Sequence, residues 1–157
     1  MQRRSFILSG MAALGGATAV ARLARAEGQF EVTLSEAEWR KRLSDQQFAV
    51  LRQEATERAG TSPLDKEKRN GTYHCAGCDL AAFSSQHKYD SGTGWPSFWQ
   101  PLPNAVATKP DRGLFGTRTE VHCRRCGGHF GHVFDDGPQP TGKRYCMNGA
   151  ALVFRAA

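Results

Sequence analysis

The sequence predicts a mainly β domain of the α+β class: two antiparallel β-sheets with two short helices ahead of them, held together by two Cys-x-x-Cys turns. Three observations carry this. Helix-start signals and helical spacing of apolar residues run from Ser35 to Ala55 and then stop. From Thr72 onward glycines and short runs of aromatic and β-branched residues take over, the pattern of antiparallel strands with tight connections. Four of the five cysteines fall into identical pairs, Cys75 with Cys78 and Cys123 with Cys126.

The first 26 residues are read as separate from that domain. Arg3-Arg4-Ser5-Phe6-Ile7-Leu8 carries a twin-arginine signature, an apolar stretch from Phe6 to Val20 follows, and Ala24-Arg25-Ala26 has the A-x-A form of a cleavage site. A membrane anchor is the competing reading, but Gly10, Gly15 and Gly16 interrupt a run too short to span well. The chain is therefore divided into a twin-arginine signal peptide at 1–26 and a domain at 27–157, periplasmic or otherwise exported, with no stable membrane insertion once the signal is cleaved. Of 21 basic residues four lie in the signal, so 17 remain against 15 acidic ones, a net of +2. The overall +6 is thus mostly an address label, and no nucleic-acid partner is expected.

Taken in order, Glu27 to Val32 is a linker becoming an extended lead-in. Ser35 and Glu38 have the spacing of a capping box, in which each side chain satisfies a free amide at a helix start, and a helix to about Leu43 follows. Ser44 and Gln47 repeat the device, with Phe48, Leu51 and Ala55 as one apolar stripe; both helices read as packing elements. Ala59 to Pro63 breaks the pattern, and the charged run from Asp65 to Arg69 is a solvated loop. Leu114 to His122 alternates as one strand leading into the second cysteine pair. Arg144-Tyr145-Cys146-Met147-Asn148, with Ala151 to Phe154 behind it, reads as another strand, so Arg144, Cys146 and Asn148 share a face.

Two Cys-x-x-Cys turns supply the four thiolates of a closed, tetrahedral zinc site, with Gly77 and Gly127 allowing the tight backbone. Iron in the same cage or two disulfides are the other readings, and His74 and His122 leave a mixed site open. Such a metal clamps distant parts of a small domain and activates no water. Cys146 is then the thiol left over. An inert buried thiol is its bland reading; the chemical one is a nucleophile, with the Arg144 guanidinium favouring the thiolate. Trp95 lies on a loop with Gly92 and Gly94, where an indole face suits a methyl group, though core packing is as good an account of it alone. His129 and His132, three apart, share a site only if a bulge near Gly131 intervenes; otherwise they are structural.

These pieces together, Cys75-x-x-Cys78, Ser91-Gly92-Thr93-Gly94-Trp95-Pro96-Ser97-Phe98, Cys123-x-x-Cys126, His129-x-x-His132 through Pro138, and Arg144-Tyr145-Cys146-Met147-Asn148, resemble the B-type methionine sulfoxide reductases from roughly Glu31 to Phe154. The resemblance implies that Cys146 attacks the sulfur of methionine-R-sulfoxide in oxidised peptides and proteins, leaving methionine and a cysteine sulfenic acid. It implies that Trp95, Phe134 and Arg144 bind substrate, and that His129, His132 and Asn148 hydrogen-bond the sulfoxide oxygen directly or through water. One structural Zn2+ per chain on Cys75, Cys78, Cys123 and Cys126, and a monomeric enzyme of oxidative-damage repair, are further expectations. Many family members carry a resolving cysteine where this chain has Thr93. With the other four sulfurs committed to metal, an outside thiol donor, thioredoxin-like or other, is expected to reduce the sulfenic acid. A non-catalytic zinc-ribbon binding module is the alternative from another class; it leaves Cys146, Trp95 and the histidines without a common location.

Overall fold

A computed structural model of the chain describes residues 30–113 and 116–157. The signal read at 1–26 lies outside the described residues, as do Leu114 and Phe115 at the start of the expected strand. Helices α1 (Glu36–Arg42) and α2 (Asp45–Gln53) both start on the expected capping boxes, with Ser35 accepting from the Glu38 amide and Ser44 from the Gln47 amide. The second helix stops short of Ala55, because Glu54 turns left-handed at φ 56°. Beyond packing, the helices brace the cysteine turns. Arg42 donates to the Gly77 carbonyl at 3.2 Å and Arg52 to the Cys126 carbonyl at 3.0 Å, with both guanidinium groups against the Trp39 ring.

Nine strands follow among the described residues: β1 (Gly71–Cys75), β2 (Ala81–Ser84), β3 (Lys88–Tyr89), β4 (Ser97–Phe98), β5 (Val106–Gly113), β6 (Gly116–Cys123), β7 (His129–Phe134), β8 (Arg144–Met147) and β9 (Leu152–Ala156). They form two antiparallel sheets, as expected: a small one ordered β2-β1-β9 and a large one ordered β3-β4-β8-β7-β6-β5. The core lies between them. Tyr73 and Phe83 of the small sheet meet Phe98 and Phe130 of the large one at ring-centroid distances of 4.5 to 6.2 Å, all fully buried. Burying each such ring contributes on the order of 2–3 kcal/mol relative to exposure.

The run from Arg144 to Phe154 is not one strand. β8 ends at Met147, a 3₁₀ turn spans Gly149–Ala151, and β9 joins the other sheet. The buried Glu57 carboxylate explains the break: it accepts from the amides of Gly149 and Ala150, which a continuing strand would have offered to a neighbour. The turn assignment also needs one correction. Gly127 takes the left-handed conformation at φ 67°, but Gly77 does not; in the first turn Asp79 does so at φ 61°.

Candidate active site and metal site

The register of the large sheet puts one row of side chains across five strands. Ser97 pairs with Cys146, Cys146 with His132, His132 with Glu120, and Glu120 with Lys109. Directly opposed residues share a face, so the sulfur has a hydroxyl on one side and an imidazole on the other. Cys146 is half-buried and opens into a cavity of about 120 Å³, also lined by Trp95, Phe134, His132 and Asn148.

The bulge expected near Gly131 is present on β7. Val121 pairs with Gly131 and His122 with His129, which leaves Phe130 as the extra residue. Gly131 is required here: at φ 156° a Cβ would collide with the Cys146 carbonyl oxygen. The bulge turns both histidines to one side, with ring centroids 5.4 Å apart. His132 lines the cavity and its Nε2 lies 2.7 Å from Asp111 Oδ2. The bond to His132 and then that to Arg118 hold the Asp111 carboxyl below its ordinary pKa, so the carboxylate accepts and His132 Nε2 carries the proton. Burial lowers the His132 pKa more than Asp111 raises it, so the ring is neutral at neutral pH. His129 stands behind it, 3 % exposed, its Nδ1 3.0 Å from Glu120 Oε1 but out of line for a hydrogen bond. Lys109 pairs with the far oxygen of the buried Glu120 at 3.0 Å.

The other expected site residues take different parts. Trp95 is fixed by its indole N–H, which donates to the Glu57 carbonyl at 3.0 Å. Asn148 lines the cavity, but its side chain is held by protein: Oδ1 accepts from the Glu57 amide at 2.9 Å and Nδ2 donates to the Phe130 carbonyl at 3.0 Å. Arg144 does not line the cavity. Its guanidinium stacks 4.3 Å over Phe134 and is paired with Asp136 at 2.8 and 2.9 Å, so it backs a wall. Glu57, Asp111, Glu120 and Lys109 have no local signal in the sequence.

At Cys146 burial is the largest electrostatic influence, and the expected pull of Arg144 acts against it. Burial pushes its thiol above the ordinary range and outweighs the opposing pull of the Thr93 hydroxyl and the Arg144 guanidinium. Free protein is therefore predicted to react with iodoacetamide at Cys146 with a rate that climbs with pH through a midpoint above that of a free thiol. Alkylation rates across pH, read by peptide mapping, check this; a midpoint at or below the free-thiol value contradicts it.

Cys146 is well separated in role from the other four sulfurs. The Sγ atoms of Cys75, Cys78, Cys123 and Cys126 all lie within 4.8 Å of one another, with Cys78 and Cys123 at 3.5 Å and Cys75 and Cys126 at 3.7 Å. A tetrahedral shell with metal–sulfur bonds of about 2.3 Å sets sulfurs about 3.8 Å apart, whereas a disulfide requires about 2.05 Å. The cluster fits a metal ion and excludes disulfides in this arrangement. It joins the end of β1 in the small sheet to the end of β6 in the large one.

Comparison with known proteins agrees with this geometry. The SelR domain model matches residues 43–156. The chain is 50% identical over 127 residues to the peptide methionine sulfoxide reductase MsrB of Leptospira interrogans, covering 80% of this chain and 97% of that one. It is 54% identical over 125 residues to the chloroplastic peptide methionine sulfoxide reductase B1 of Arabidopsis thaliana, covering 79% of this chain and 62% of the relative. With the MsrB of Agrobacterium fabrum it shares 47% identity over 125 residues, 79% of this chain and 93% of the other. A match spanning both cysteine turns, the bulged histidine strand and the Cys146 strand places the chain in the SelR-domain family, the B-type methionine sulfoxide reductases.

Proposed function

We propose that this chain reduces methionine-R-sulfoxide in oxidised peptides and proteins to methionine, with Cys146 as nucleophile. The observation that carries the reading is the half-buried Cys146 sulfur opening into a small cavity between Trp95, Phe134 and His132. That space accepts the end of one thioether side chain, with the two aromatic faces against its methyl group. His132 is a neutral base whose N–H is already committed to Asp111, so its other ring nitrogen takes the Cys146 proton. The thiolate attacks and the sulfur–oxygen bond of the substrate breaks. The oxygen passes to Cys146, and the proton returns from His132 to give methionine and Cys146–S–OH. Asp111 stabilises the transient imidazolium. His129 supports the His132 ring from behind, and Asn148 shapes the cavity floor beside the sulfoxide oxygen. Arg144 holds Phe134 in place against the substrate.

Thr93 stands beside Cys146 where a resolving cysteine would be needed, and the remaining sulfurs are gathered in the metal cluster. An outside thiol, thioredoxin-like or smaller, therefore reduces the sulfenic acid through a mixed disulfide. All-thiolate donors at tetrahedral spacing suit zinc and disfavour harder, oxygen-seeking ions; we take the ion as zinc, one per chain, with a structural role. We also propose that residues 1–26 direct export by the twin-arginine route and that residues 27–157 work as a periplasmic monomer. The zinc-ribbon binding module is not favoured, because it gives no reason for the cavity around Cys146.

The test is to assay R and S epimers of one peptide sulfoxide separately, with a thioredoxin, glutathione and dithiothreitol as donors, and to count thiols after a single turnover. The expected result is turnover of the R epimer only and loss of a single thiol. Turnover of the S epimer, or an internal disulfide, rejects the scheme.

A further inference from the structure

Beside Cys146, on the side away from His132, three hydroxyls form a chain that the steps above leave unused. Ser97 is fully buried and donates to the Trp95 carbonyl at 3.1 Å. Its Oγ lies 2.7 Å from Ser91 Oγ, which lies 2.8 Å from Thr93 Oγ1, which in turn lies 3.9 Å from Cys146 Sγ. A carbonyl can only accept, so one end of the chain fixes its direction. Ser97 donates to Trp95, Ser91 to Ser97, Thr93 to Ser91, and Thr93 Oγ1 is left to accept from the Cys146 S–H.

That order suits the thiol and opposes the thiolate, because Thr93 would aim lone pairs at an anion. Rotation about three C–O bonds reverses it. Ser97 then donates to Ser91, Ser91 to Thr93, and Thr93 to the sulfur. The Trp95 carbonyl loses a neutral hydrogen bond, and the sulfur gains a charge-assisted one, which is about twice as strong. Besides Thr93, the Arg144 guanidinium and the Ser97 hydroxyl also act on the Cys146 sulfur. Arg144 on the same strand is paired with Asp136, and His132 on β7 and Arg118 on β6 are both bonded to Asp111. Tyr89 on β3 lies beyond Ser97, and its hydroxyl is buried without a partner.

We infer that Thr93 is a catalytic hydroxyl that donates to the Cys146 sulfur when it ionises, and that Ser91 and Ser97 hold it in place through a reversible hydroxyl chain. The inference rests on Cys146 being the reacting thiol, and it gives the residue at the resolving position a task of its own. The same donor receives the sulfur when it leaves. An outside thiolate R′–S⁻ attacks the outer sulfur of Cys146–S–S–R, the disulfide R′–S–S–R forms, and Cys146 departs with the electron pair as a thiolate facing Thr93.

The experiment is the pH dependence of Cys146 alkylation by iodoacetamide in the metal-loaded protein, which needs no sulfoxide and so can fail independently of the proposed activity. Thr93→Val, equal in shape, is expected to raise the midpoint by about one pH unit, the scale of one charge-assisted hydrogen bond. Thr93→Ser keeps the midpoint of the unaltered protein, and Ser91→Ala raises it by roughly half as much as Thr93→Val, since Thr93 then donates without support. An unmoved midpoint in Thr93→Val overturns the inference. A shift in Thr93→Val with none in Ser91→Ala overturns the hydroxyl chain.

Discussion

Cys146→Ser is expected to abolish sulfoxide reduction, by about 10³-fold or more, while metal content and melting temperature stay those of the unaltered protein. The hydroxyl that replaces the thiol does not ionise near neutral pH and has none of the sulfur's nucleophilicity, so no attack on the sulfoxide takes place. The fold has little reason to respond. Cys146 is half-buried beside a cavity, not clamped in the core, and serine occupies a similar volume. Kinetic assay, metal analysis and a thermal melt on one preparation check all parts. Retained activity would move the chemistry to another thiol and revive the binding-module reading.

The reverse pattern is expected at Cys123→Ser. Cys123 is fully buried at the end of β6, and its partner turn closes β1 in the other sheet. Binding of a structural zinc ion to four thiolates is worth roughly 10–16 kcal/mol at neutral pH, comparable with or larger than the 5–15 kcal/mol that holds a whole domain together. Losing one ligand, or removing the ion with a chelator, is therefore expected to unlatch the two sheets and lower the melting temperature by tens of degrees. The braces from Arg42 and Arg52 fall with it, because they grip the carbonyls of Gly77 and Cys126 in the same turns. A chelated protein that melts like the metal-loaded one would contradict this role.

The division between these two cysteine classes was legible in the sequence, because spacing within a turn is local information. So were both capping boxes, since a serine and an acceptor three residues on need no tertiary context. The bulge in the histidine strand could be expected from the mismatch between a three-residue interval and a two-residue repeat. Other parts depended on contacts far apart in the chain. Nothing near Glu57 says that its carboxylate will end β8 from 92 residues away, or that its backbone will anchor both Trp95 and Asn148. Asp111 drew no notice in the sequence, and it reaches His132 because it lies on a long hairpin strand. The expected pull of Arg144 on the thiol is real but smaller than the cost of burying a charge, and burial cannot be read from neighbours in sequence.

The central claim is that one sulfur, apart from the metal cluster, takes the oxygen from the substrate. The most direct measurement is a single turnover of an R-sulfoxide peptide labelled with heavy oxygen, without reductant, followed by trapping and peptide mapping of all five cysteines. The account predicts labelled oxygen on Cys146 as a sulfenic acid, with Cys75, Cys78, Cys123 and Cys126 still reduced and still holding metal. Label or a disulfide at any of those four, or methionine formed with Cys146 unoxidised, would contradict it.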